Sequence, residues 1–390
     1  MYWLTTPEIP FHPPWDRGFP ERLALLCGEG TRVAYFHMEP DPSSFRYRVY
    51  NMVEAINAGP GASASWFHLG DADRFADVIR EADVLVLARV LYGPQVMRLI
   101  QLARNKGIRI LFDVDDLVFD PDFAHLLMDA TDIELTNPAM DHVFGTAARH
   151  EVVLKMCDGA LTTNSYLAER IRERVDLPVQ VVPNFMNKLQ CRVSDRLWED
   201  KASRNFCQRD GRIHIGYFSG TATHNRDFRL AAGALREVME ADPRVHLRLT
   251  GPLESGGVLE PVWDRVEFMP LQDYLNLQRR IAQMEINIAP LQDNVFTHCK
   301  SELKYFEAAA VGTLTVASPT FAFGNAIRHG ETGWLSPAQA WGDRLREAIA
   351  VLDADPRRIL YAARADAAGR YGWHVHRDRI LAAVVESHGG

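Results

Sequence analysis

Residues 286–318, INIAPLQDNVFTHCKSELKYFEAAAVGTLTVAS, leave the chain few folds to choose from. An apolar run at 286–290 reads as a strand, and a polar loop covers 292–298. A helical pattern follows over 301–311, Gly312 closes it, and a second apolar run of strand length occupies 314–317. Strand, loop, helix and strand inside about thirty residues make a βαβ unit, whose right-handed crossover demands a parallel sheet. In such sheets ligands bind beyond the carboxyl ends of the strands, where helix N-termini point. The loop ahead of this helix carries His298, Lys300 and Ser301, with Lys304 one turn on. Backbone donors at a helix N-terminus and two ammonium groups favour a polyanion such as a diphosphate. Glu307 lies two turns past Lys300 on the same face, where a carboxylate can accept both hydroxyls of a ribose. A merely solvated helix face would carry the same charges, so the spacing alone does not decide.

At 390 residues the chain has length for two domains, each with its own core. Its net charge of −8 argues against general nucleic-acid binding. The five cysteines are widely spaced and form no CxxC pair, which points to reduced thiols, a cytoplasmic setting and no metal site. The opening MYWLTTPEIPFHPPWDRGFP has prolines and acids where a signal peptide needs a basic and then an apolar run. No run of about 18 apolar residues offers a membrane span; peripheral attachment to the inner face of a membrane stays open.

Residues 1–30, rich in proline and aromatics, read as an irregular arm over the first domain. Strands are expected at 32–37, 65–68, 84–88, 109–112, 159–163 and 179–182, separated mainly by helical patterns. Residues 120–150 read as a loop-rich insertion with helix only from 142, and 187–211 as an aperiodic linker. Ser44, Arg46 and Arg48 fall in the first turns of a helix that ends near Asn57. Cations at a helix N-terminus oppose the dipole. Either an anion or sugar sits near Glu39, Ser44 and Arg46, or the arginines pair with Glu39 or Asp41. The strand 109–112 delivers Asp113, Asp115 and Asp116, three carboxylates whose crowding is costly without a use, although one could simply cap a turn.

The second half repeats the alternation. Strands are expected at 213–218, 245–250 and 266–268 before the stretch described first. A small-residue loop with Gly220, Thr221 and His224 follows the first of these, letting a phosphate or sugar approach backbone N–H groups. The loop holding Met269 and Leu271 follows the third, and an amphipathic helix over 374–387 ends the chain.

The segment KSELKYFEAAAVGTLTVAS resembles the donor site of GT-B glycosyltransferases, particularly the retaining family 4 and related bacterial polysaccharide-biosynthesis transferases. SSFRYRVY, the 158–184 region ending VVPN, and GETGWL resemble the same group in the same order. The resemblance implies an α/β protein of two Rossmann-like, doubly wound parallel-sheet domains facing across a cleft. They would be an acceptor-side domain at 1–190, a linker at 191–211, a donor domain at 212–368, and a C-terminal helix at 369–390 crossing back. Glu307 matches the ribose-holding second glutamate of the family's Glu-x7-Glu motif, while Cys299 stands where the first would be. It further implies donor contacts from Gly220, Thr221, His224, Met269, Leu271, His298, Lys300, Ser301, Lys304 and Glu307, and acceptor contacts from Glu39, Ser44 and Arg46. Asp115, Asp116, Lys300 and Lys304 would carry catalysis, with the lysines neutralising the leaving diphosphate and no metal required.

The activity expected is hexosyl or deoxyhexosyl transfer from a nucleotide-diphosphate sugar, with retention, to a glycan or lipid-linked acceptor in surface polysaccharide assembly. No cofactor beyond that substrate is expected. LFDVDDLVFD also resembles the first motif of haloacid-dehalogenase phosphatases, with Asp113 as nucleophile and Asp115 as acid, or a metal-binding DxD. The position of the motif and the doubled domain pattern favour an acceptor-side loop. A degenerate GT-B module that only binds is the non-enzymatic alternative.

Overall fold

The protein is described here by a computed structural model that covers residues 1–130, 133–220, 225–251 and 257–385. The first lobe is built on strands β1 (Thr31–His37), β2 (Ala62–His68), β3 (Val84–Ala88), β4 (Arg109–Val114), β5 (Gly159–Thr162) and β6 (Val179–Val181). Their order is β2-β1-β3-β4-β5-β6, every neighbouring pair parallel. The second lobe uses β7 (Ile213–Phe218), β8 (Val245–Thr250), β9 (Val266–Met269), β10 (Ile286–Ala289), β11 (Leu314–Ala317) and β12 (Trp334–Leu335). It too is wholly parallel, in the order β12-β11-β10-β7-β8-β9.

A parallel sheet needs helices on both faces, so its strands are apolar on both sides. On the first sheet Ala34, Phe36, Leu85 and Leu87 join one buried cluster, and Val33, Tyr35, Val84 and Val86 the other. In each sheet the strand order reverses once, between β1 and β3 and between β7 and β10. These switch points open crevices at the strands' carboxyl ends. The helix Leu303–Ala310 returns the chain from β10 to β11, and Gly312 turns it at φ +66°. A Cβ there would stand 3.0 Å from the rings of Trp198 and Phe206.

Three sequence expectations change. Residues 187–211 are no aperiodic linker, because a 15-residue helix, Lys188–Ala202, begins there with the Asn187 side chain accepting from Gln190 N at 2.8 Å. Its buried face includes Gln190, Ser194 and Lys201 beside Val193 and Leu197, so polar residues hide the helical period. Within 120–150, helices occupy Ala124–Ala130 and, from five residues before the expected start, Asn137–Lys155.

The N-terminal arm, expected on the first domain, lies largely along the second lobe. Tyr2 N donates to Gln283 O at 2.9 Å, Thr5 N to Asp200 at 2.5 Å, and Ile9 exchanges two 2.9 Å bonds with Asn276. It then crosses back, where Trp15 packs on Phe45 and stacks on Tyr274, and forms the helix Phe19–Leu26. At the other end the helix Trp373–Val384 lies on the first lobe, burying Ile380, Ala383 and Val384 with Met52 and Ile56. The last residues of the helix expected over 374–387 lie outside the described residues.

Candidate active site

The loop between β10 and the helix Leu303–Ala310 meets the first lobe. Asn164, just after β5, donates to the carbonyls of Cys299 at 3.2 Å and Lys300 at 3.3 Å, and Asn184 donates to Ser301 Oγ at 3.1 Å. Lys304 reaches towards β7, its ammonium 4.5 Å from the centre of the Tyr217 ring. That ammonium is buried and has no hydrogen-bond partner among the described residues. Burial lowers its pKa to about 8, against the attraction of Asp227. Lys300 sits over the Phe296 ring at 4.7 Å, and His298 accepts from Phe321 N at 2.9 Å while its other nitrogen pairs with Asp293 at 2.9 Å.

At the ends of β7 to β9 the expected loops touch. Gly251, at φ +97°, stands so close to Ser219 that a Cβ would fall 2.2 Å from its carbonyl oxygen. It also donates to Met269 O at 3.3 Å and lies against the Leu271 side chain, which is exposed. Gly220 is exposed, and among the described residues nothing lies within 4 Å of where a Cβ would stand, as a loop receiving a ligand backbone-first requires. Thr221 and His224 lie outside the described residues.

Glu307 is buried at the seam between lobes, 3% exposed. Its Oε1 accepts from the Tyr47 hydroxyl, from Gln190 at 2.9 Å and from Arg46 at 3.5 Å. The Arg46 guanidinium also bonds Pro42 O and Gln190 and lies 4.7 Å from the centre of the Tyr274 ring. Glu39 is exposed, and its backbone oxygen lies 2.7 Å from His37 Nδ1. Cys299, at the place of a first motif glutamate, is fully buried in the apolar core of the opposite lobe, where a carboxylate would be costly.

The three aspartates after β4 divide sharply. Asp113 is wholly buried and held at both oxygens by Arg48, at 2.7 and 3.1 Å; burial raises it to about 6 while Arg48 opposes the rise. A nucleophile needs an open oxygen, so the phosphatase reading with Asp113 attacking does not fit. Among the described residues no group of three or more His, Cys, Asp or Glu side chains is placed to hold a metal ion. Asp115 accepts from Ser44 Oγ at 2.7 and 2.8 Å and from Arg89 at 3.2 Å. Burial pushes Asp115 and Asp116 upward, but the charge of Arg89 and the Ser44 bond carry Asp115 below the usual range. Asp116 stays raised, by burial and then by Asp115, although Lys300 from the other lobe pulls it down. Two adjacent carboxylates with pKa values pushed apart are the pattern of an acid–base site.

The sequence reading missed Arg89, His37, Tyr47 and Gln190. Arg89 holds a left-handed backbone at φ +49°, fixed by its N–H on Asp113 O at 2.8 Å, and nothing in the local sequence signals that.

Residues 212–355 match the family model described as Glycosyl transferases group 1. That match falls on the second lobe, and the two lobes have the GT-B fold seen in similar solved structures. The crystal structure of Anabaena HepE in complex with UDP is similar over 90% of this chain and 98% of its own, at 10% identity and a TM-score of 0.61. Sucrose-phosphate synthase from Thermosynechococcus elongatus aligns over 89% of this chain and 96% of its own, at 15% identity and a TM-score of 0.56. A glycosyltransferase from Rickettsia africae aligns over 91% and 98%, at 12% identity and a TM-score of 0.60. Comparison with curated proteins gave no match. In the GT-B frame the Lys304 cluster lies at the switch point of the second sheet and the Asp115–Asp116 pair beyond the end of β4 in the first. Among the described residues no helix is long and apolar enough to cross a membrane.

Proposed function

We propose that this protein transfers a glycosyl group from a nucleoside-diphosphate sugar to a hydroxyl of a second substrate. The observation that carries the reading is the buried ammonium of Lys304, without a hydrogen-bond partner among the described residues, at the switch point of the sheet that matches the Glycosyl transferases group 1 model. A buried cation is costly unless it meets an anion. The diphosphate of a donor, laid across the Ser219–Gly220 loop, would supply one. Lys300 and Lys304 would then stabilise the charge that grows on the leaving diphosphate. Leu271 and Met269 would hold the base, and Glu307 the ribose. Similar proteins support the donor class, since HepE has been crystallised with UDP and with UDP-glucose.

Asp116, the carboxylate with the raised pKa, would take a proton from the attacking hydroxyl, with Lys300 opposing that rise across the lobes. A hexosyl or deoxyhexosyl unit, retention of configuration, no metal, and a glycan or lipid-linked acceptor in surface polysaccharide assembly on the cytoplasmic side complete the proposal. The test is a thermal-shift series with uridine, guanosine, thymidine and cytidine diphosphates on the wild type and on Lys300→Ala and Lys304→Ala. A ligand that binds only the folded state raises the melting temperature. One nucleotide should stabilise the wild type and fail with both variants. No shift with any nucleotide, or equal shifts in the variants, would discard the reading.

A further inference from the structure

A second opening lies in the first lobe, at the switch point between β1 and β3. It is a cavity of about 260 Å³ lined by His37, Met38, Asp41, Ser43, Ser44, Arg89, Leu91 and His150. His37, the last residue of β1, is 6% exposed. Its Nδ1 lies 2.7 Å from the carbonyl oxygen of Glu39, which can only accept, so Nδ1 carries the proton. In the neutral ring Nε2 is then a bare acceptor. That atom is buried, has no hydrogen-bond partner among the described residues, and faces Asp41 at 3.8 Å, too far for a bond. Burial lowers the pKa of His37, with Asp41 and Asp115 opposing and Arg89 assisting; burial lowers His150 likewise, to about 3. Both rings are neutral at pH 7.

The cavity's charges decide what it can receive. Among the described residues Arg89 is the one cation lining it, and that guanidinium is already matched by Asp115 at 3.2 Å and Asp116 at 3.6 Å. Asp41 adds a further negative charge. An incoming phosphate or carboxylate would meet a net negative wall, whereas hydroxyls would meet an imidazole acceptor, the Ser43 hydroxyl and the Asp41 carboxylate. The left-handed backbone of Arg89 is the kind of stored strain that collects at working sites.

We propose that this cavity holds an uncharged, hydroxyl-rich sugar ring of the acceptor, with His37 Nε2 receiving a hydrogen bond from one of its hydroxyls. The proposal rests on the transferase reading and gives its acceptor a chemical class. His37 is thereby a positioning residue for the acceptor ring.

The test is ligand-observed NMR on the full chain with the methyl glycosides of glucose, galactose, mannose and N-acetylglucosamine, and with glucose 6-phosphate as the anionic counterpart. At least one neutral glycoside should bind the wild type, and glucose 6-phosphate should bind at least tenfold more weakly. His37→Asn should weaken the glycoside at least tenfold. Leu91→Trp, which fills the cavity from another lining position and leaves the His37 side chain in place, should do the same, guarding against a folding defect in the first variant. Preference for the phosphate ester, glycoside binding indifferent to both substitutions, or no binding of any glycoside would each overturn the proposal. Glycoside binding that follows these rules in a protein unresponsive to every nucleoside diphosphate would leave the cavity standing and remove the transferase reading instead.

Discussion

Tyr47 of the first lobe donates its phenolic hydrogen to the Oε1 atom of Glu307 in the second, the same oxygen that Gln190 and Arg46 use. A carboxylate oxygen has about two lone-pair sites, so this one is filled. A ribose arriving at Glu307 must therefore use the other oxygen or displace Tyr47. Tyr47→Phe removes one competitor. It should lower the stability of the ligand-free protein by about 1–3 kcal/mol, the cost of an unmade bond to a buried charged group. It should also tighten nucleoside-diphosphate binding. Thermal unfolding and titration calorimetry read the two effects, and unchanged or weaker affinity would place the ribose elsewhere.

Lys304→Met should separate stability from function in the opposite sense. The thioether fills the volume of the side chain without a buried charge, so the ligand-free protein should melt no lower than the wild type, or higher. Nucleoside-diphosphate affinity should fall at least tenfold, because a direct charge partner of the diphosphate is gone. A variant that melts lower yet binds nucleotide normally would make Lys304 a structural cation.

Asp113 and Arg48 are bound to each other in the middle of the first lobe, 0% and 1% exposed. Removing one partner strands the other's charge, so Asp113→Ala should cost about 3–5 kcal/mol. The double replacement Asp113→Leu with Arg48→Met should recover a large part of that, since apolar substitution of a whole buried pair is often near neutral. Denaturant unfolding of the single and double variants gives the comparison. A double variant as unstable as the single would show that the Arg48 bonds to Val182 O and Asn184 carry the cost.

Acidification should destabilise the protein through two buried imidazoles. Burial lowers His150 to about 3 and His376 to about 4, both well under the ordinary value near 6.5. The unfolded chain then binds protons that the folded chain refuses. This contribution is present above about pH 6.5 and is lost as pH falls through the folded values. At pH 5 each ring should have withdrawn about 2 kcal/mol. His376→Asn should lose less melting temperature between pH 7 and pH 5 than the wild type does; an identical loss would mean that His376 is hydrated in the folded state.

The sequence disclosed what periodicity and motif can carry. Strands such as β3, β7, β8 and β11 are uninterrupted or alternating apolar runs, and their limits match those expected from composition alone. Pairing the parallel runs through helices left only doubly wound sheets to consider. The helix Lys188–Ala202 escaped because its inward face meets other polar groups: Gln190 bonds Arg46 and Glu307, and Lys201 bonds Gly312 O. An apolar moment cannot report a polar face.

Within the site, the aspartates were visible as a cluster but their division of labour was not. Asp113 differs from Asp115 only in what the fold places beside it, Arg48 in one case and Ser44 with Arg89 in the other. Those partners come from 26 to 71 residues away in the chain, beyond the reach of any local pattern.

The arm that begins the chain has a mechanical meaning. The backbone crosses between the lobes around Phe185 and at the turn near Gly372, and the arm adds a third, non-covalent tie through its hydrogen bonds to Asn276 and Gln283. Two bodies stitched at three places cannot drift apart or slide far past one another, so the motion left to them is angular. Substrates would enter and products leave as through the pages of a bound book, the spine staying closed while the fore-edge parts.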